Sequence, residues 1–101
     1  MKQFRQGDVY LVEENPPKNA KRVPRSGVII LAEGEATGHS HTVSDPSCEL
    51  LEGDSGERWL AAPKEVEVNH QEHETVTLPP GNYRVIRQRE YSPQEIRQVR
   101  D

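Results

Sequence analysis

Apolar residues in this chain recur at every second position in short runs, and that pattern restricts the fold most. In "EVEVNH", Val66 and Val68 alternate with Glu65, Glu67 and Asn69. In "HSHTV", His39, His41 and Val43 fall on one side and Ser40 and Thr42 on the other. A period of two belongs to a strand with one face buried; a helix would repeat every three to four residues. Glycine and proline separate the runs, as in an all-β domain.

Read along the chain, "GDVYLVEE" predicts a first strand. "NPPKNAKRVPR" predicts a loop, because Pro16, Pro17 and Pro24 resist regular structure. "GVIILAEG" is a continuous apolar run between glycines, expected to be a central or interface strand. "CELLEG" and "ERWLAAP" predict a hairpin around "GDSG", and "NYRVIRQREY" a long strand after the turn in "LPPG". The last segment, "SPQEIRQVR", predicts a short helix. Ser92 is placed as its N-cap, Pro93 follows at the first helical position, and Glu95 completes a capping box. The expected architecture is mainly β: one domain over residues 1–101, a small β-barrel or sandwich with a short C-terminal helix.

Composition narrows the function classes. A chain of 101 residues with 32% apolar content has a lean core. The doubly apolar run Val28–Leu31 therefore predicts a homodimer. A net charge of -4 excludes a global basic field for long double-stranded DNA. The single cysteine, Cys48, excludes an internal disulfide and a thiolate zinc cluster, and reads as buried and inert. Trp59 and Leu60 read as core. No apolar run approaches membrane-spanning length, so a cytoplasmic location is the expectation, with no membrane partner.

All four histidines fall in two close pairs, His39 with His41 and His70 with His73. Alternation sets His39 and His41 on the face of Val43, and His70 on the face of Val66 and Val68. His73 has two placements: a turn at residues 69–72 brings it to the others, whereas an unbroken strand sets it with Thr75 and Thr77. A His-x-His pair on a strand suits Zn, Ni or Fe. Here "HSH", followed by Asp45, and "LPPGNYR" resemble parts of the two cupin motifs. That resemblance implies a metal site, with His39, His41, His70 and His73 as its ligands. In the second motif Arg84 stands where cupins have a histidine, and arginine cannot ligate a cation.

Arginine there favours an anion. Guanidinium binds phosphate through paired N–H donors, and histidine exchanges protons near neutral pH. The leading expectation is a metal-independent phosphodiesterase with no cofactor, acting on RNA or cyclic oligonucleotides. His39, His41, His70 and His73 supply acid and base. Lys18, Lys21, Arg22, Arg84, Arg87 and Arg89 supply cations to a small anionic nucleotide. The face of Arg87 and Arg89 is opposite that of Arg84 in a regular strand. A non-catalytic module for anionic ligands is a further alternative.

The set "FRQGDVYLV", "GEATGHSHTV" and "EHETVTLPPGNYRVIRQREYSPQEIR" resembles a family of short bacterial and phage proteins, largely uncharacterised. The resemblance spans nearly the whole chain. By analogy with other small proteins of prophages and defence loci, it implies a ring nuclease of CRISPR systems.

Overall fold

The computed structural model describes residues 2–33 and 39–87. They form ten strands: β1 (Gln3–Gln6), β2 (Val9–Glu13), β3 (Lys21–Arg22), β4 (Ile29–Glu33), β5 (Ser40–Val43), β6 (Glu49–Glu52), β7 (Arg58–Ala62), β8 (Val66–Val68), β9 (Val76–Leu78) and β10 (Gly81–Arg87). Six of them make one antiparallel sheet in the order β1-β2-β10-β7-β6-β3. β4 pairs with β5, and β8 with β9, as two small antiparallel sheets.

The main core lies between the large sheet and the two small ones. Val9, Leu11, Leu60, Tyr83 and Val85 from the former pack with Leu31, Val43, Val66, Val68 and Leu78 from the latter. This layering is that of a sandwich. The large sheet keeps β1 and β3 as its edges and is not closed into a barrel. The opposite face of the large sheet carries a smaller cluster of Tyr10, Val12 and Ile86. The predicted helix from Ser92 lies outside the described residues.

Local sequence explains the elements. The β6–β7 hairpin turns through "GDSG", where Gly56 takes a positive φ of 87° that other residues rarely adopt. β1 and β2 are joined by the two-residue turn Gly7–Asp8, with Gly7 at φ 59°. Glycine leading such a turn matches the twist of a tight hairpin. In the run Val28–Leu31, Ile29 and Leu31 are buried, while Val28 and Ile30 stay 47% and 45% exposed. The β4–β5 register shifts between Ile30 and Ala32, a bulge that lets Leu31 and Ala32 both face inward. The Leu31 carbonyl at this bulge accepts a hydrogen bond from Arg58 Nη2, which ties β4 to β7.

Candidate functional site

Two backbone hydrogen bonds bring the histidine pairs together. Thr42 and Asn69 exchange N–H···O bonds of 2.9 Å each, an isolated antiparallel bridge between β5 and the residue after β8. In antiparallel register the flanking residues His41 and His70 then lie opposite each other on the inner side. Their ring centroids are 4.4 Å apart. Two pairs further out, His39 meets Glu72, with Nδ1 3.0 Å from Oε1. The chain bends over residues 71–73, which brings the His73 ring to 4.5 Å from that of His70 and 6.1 Å from that of His41. The rings of His39 and His70 are 5.7 Å apart. All four imidazoles thus form one cluster, and of the two placements of His73 the bent one is observed.

The hydrogen bonds assign the ring protons. Gln6, 2% exposed, donates through its amide nitrogen to the carbonyls of Val68 and Glu74, both at 2.9 Å. Its oxygen must therefore face His41, whose Nδ1 lies 2.8 Å away and donates. When His41 is neutral, its lone pair sits on Nε2. His70 is the reverse: its Nδ1 accepts the backbone N–H of Glu72 at 3.0 Å, so Nε2 carries the proton. Neighbouring rings thus present a proton acceptor and a proton donor.

Electrostatics keeps both of these rings uncharged near neutrality. Burial pushes the pKa of His41 down, helped by charge on His70 and opposed by the Asp8 carboxylate. Burial also lowers His70, with charges on His73 and His39 adding to it. His41 Nε2 lies 3.4 Å from Asp8 Oδ1, and Arg87 Nη2 lies 3.7 Å from Asp8 Oδ2. The Arg87 side chain is only 13% exposed, and its Nε and Nη2 have no hydrogen-bond partner among the described residues.

A four-imidazole metal site needs a free lone pair on each ring, and as placed the Nδ1 lone pair of His70 is occupied by the Glu72 backbone N–H. Among the described residues, no group of three or more His, Cys, Asp or Glu side chains is arranged to hold a metal ion.

The cations separate. Arg87 follows Tyr83 and Val85 on the inner face of β10 and is linked to His41 through Asp8. Arg84 is on the opposite face, directly across from Trp59 and Val12. Lys21 and Arg22 lie on β3, at the far edge of the sheet from β1 and Gln6, and Arg22 pairs with Glu49. Lys18 is exposed in the preceding loop. None of these four has an ion pair or hydrogen bond to the histidines. Arg89 lies outside the described residues. Arg25, in the same basic segment, is structural. It donates to the carbonyls of Gly27, Asp45 and Cys48 at 2.9, 2.9 and 2.8 Å. Cys48 is buried, and burial pushes its thiol pKa up, away from the reactive thiolate.

Gln6 and Asp8 were not picked out by the sequence. Their signal is slight: a glutamine and an aspartate flanking the turn glycine in "RQGDV".

Two small sheets packed on a larger one, with four imidazoles gathered in one cluster, define a small β-rich domain with a polar histidine site. The chain belongs to a family described as "Domain of unknown function (DUF8820)", whose model matches residues 5–88. No curated protein and no solved structure matches the sequence. Among the described residues, no helix is long and apolar enough to cross a membrane.

Proposed function

We propose that this protein is a metal-independent phosphodiesterase acting on RNA or cyclic oligonucleotides by histidine acid–base chemistry. The observation that carries the reading is the pair of opposite tautomers: a lone pair on His41 and an N–H on His70, in rings 4.4 Å apart. No serine, threonine or cysteine side chain is hydrogen-bonded to any of the four rings among the described residues. A site with acid and base but no nucleophile of its own suits a substrate that carries one, such as a ribose 2′-OH.

In this mechanism His41 Nε2 takes the proton of the 2′-OH as its oxygen attacks phosphorus. The His70 N–H stabilises charge on a non-bridging oxygen of the phosphorane. His39, paired with the Glu72 carboxylate when protonated, gives its proton to the departing 5′-oxygen. The products are a 2′,3′-cyclic phosphate and a 5′-OH. His41 must be neutral and His39 protonated, so a bell-shaped pH profile is expected.

The test is cleavage of cyclic and linear oligoribonucleotides in EDTA. Wild type should cleave, and His41→Ala should lose about 10²–10⁴-fold in turnover, the usual worth of a positioned proton transfer. Wild type that cleaves none of them, or cleaves only with added Zn, Ni or Fe, would overturn the reading.

A further inference from the structure

We propose that the Nε–Nη2 edge of Arg87 is an oxyanion subsite for the two non-bridging oxygens of a phosphodiester, and that Asp8 occupies its place in the free protein. The inference rests on the phosphodiester reading of the histidine cluster and deepens it. Both nitrogens are buried and, among the described residues, without a hydrogen-bond partner. Leaving charged donors unmet inside a protein is costly, and a pair of them on one guanidinium calls for an explanation. These two N–H groups form the side-on edge of the fork, with the spacing that meets two oxygens of one tetrahedral group.

Among the described residues, Asp8 stands in for that group through two long contacts. Its two oxygens lie 3.4 Å from His41 Nε2 and 3.7 Å from Arg87 Nη2. Charge-assisted hydrogen bonds are shorter, about 2.7–2.9 Å. Neutral His41 also turns a lone pair, not a proton, toward the carboxylate. The seat is therefore poor. Asp8 sits in the two-residue turn at the sheet's edge, next to Gly7, whose positive φ gives that turn its shape. Departure of Asp8 does two things together. It opens the Arg87 edge to the ligand's oxygens, and it uncovers the His41 nitrogen that must accept the hydroxyl proton. Binding of the correct anion is thereby coupled to release of the base.

The probe is a deoxydinucleoside monophosphate, which has one phosphodiester and no 2′-OH and so cannot be cleaved by this route. Binding is followed by calorimetry and by the ¹⁵N resonance of Arg87 Nε. Wild type should bind, with the Arg87 Nε–H signal shifted. Arg87→Lys keeps the charge but loses the paired edge, and should weaken binding at least about tenfold, the loss of one charge-assisted bond. Asp8→Asn removes the resident anion and should tighten binding, by about tenfold if the closed form holds about nine-tenths of the free protein. Unchanged or weaker binding by Asp8→Asn, or an unmoved Arg87 resonance on saturation, would overturn the proposal. So would wild-type affinity in Arg87→Lys. If the probe binds through Arg87 and tightens in Asp8→Asn, while no oligoribonucleotide is cleaved, the subsite stands and the catalytic reading falls.

Discussion

Replacing Gln6 with leucine tests the polar bracket that holds the site. The side chain is nearly isosteric but loses three hydrogen bonds, at 2.8, 2.9 and 2.9 Å. Glu74 is exposed, so its carbonyl recovers water. The other two partners cannot: Val68 is 0% and His41 1% exposed. Each buried group left unmet costs about 1–3 kcal/mol. Two give about 2–6 kcal/mol, and the extra apolar burial of leucine offsets roughly 1–2 kcal/mol. The net expected loss is about 1–4 kcal/mol, or roughly 4–30 °C in melting temperature for a domain of this size. Urea unfolding followed by the fluorescence of Trp59, the one tryptophan, measures it. Long-range ¹H–¹⁵N spectra of the wild type should show the Nδ1–H tautomer at His41 and the Nε2–H tautomer at His70. A loss below about 0.5 kcal/mol, the scale of ordinary surface substitutions, would refute the bracket. An Nε2–H tautomer at His41 would refute the proton assignment.

Stability should fall on acidification from pH 7.5 to 5.5. The folded pKa values of His41 and His70 lie below the ordinary histidine range. The unfolded chain therefore takes up protons first, and stability present above about pH 6.5 is lost as pH drops toward the lowered folded values. The urea midpoint should track this, with a flatter slope in His41→Gln. Arg25→Ala should destabilise by about 1.5–3 kcal/mol, the worth of a charged hydrogen bond, here to the part-buried carbonyls of Asp45 and Cys48. Lys18→Ala in the same loop should change the midpoint by no more than about 0.5 kcal/mol. We expect a homodimer that pairs through the exposed side of β4. Sedimentation at micromolar concentration should give a species near twice 11.5 kDa, and Ile30→Asp should return it to that mass.

Much of the layout was readable because burial follows alternation. Val66 and Val68 in "EVEV" are buried with glutamates outward, and "GDSG" does close a hairpin. Three histidines were expected on inward faces by the same rule; His41 is buried, while His39 and His70 are half-buried. What could not be read depends on pairing between distant segments. The Thr42–Asn69 bridge that sets His41 against His70 leaves no mark in either local pattern. β1 escaped notice because "QFRQ" has only Phe4 as an apolar residue, and Gln6 is buried through hydrogen bonds instead of hydrophobicity. Charge alone could not separate Arg87, turned to the histidines, from Arg84 across the sheet. Nor could it separate Arg25, spent on loop carbonyls, from exposed Lys18. "GVIILAEG" read as apolar on both faces; the outer pair, Val28 and Ile30, proves to be the exposed one.

The bulge in β4 also bears on how copies of this protein can add to one another. Among the described residues β4 has a ladder partner only in β5; on its other side the Leu31 carbonyl accepts from Arg58, beside exposed Ile30. A straight strand in that position would template endless ribbon growth. The register shift after Ile30 breaks the regular spacing of the backbone groups of β4. An added strand can align with only a few residues before its donors and acceptors fall out of step. Any association at this edge would thereby be limited to a short, self-terminating contact, one that permits a pair of molecules and discourages a fibre.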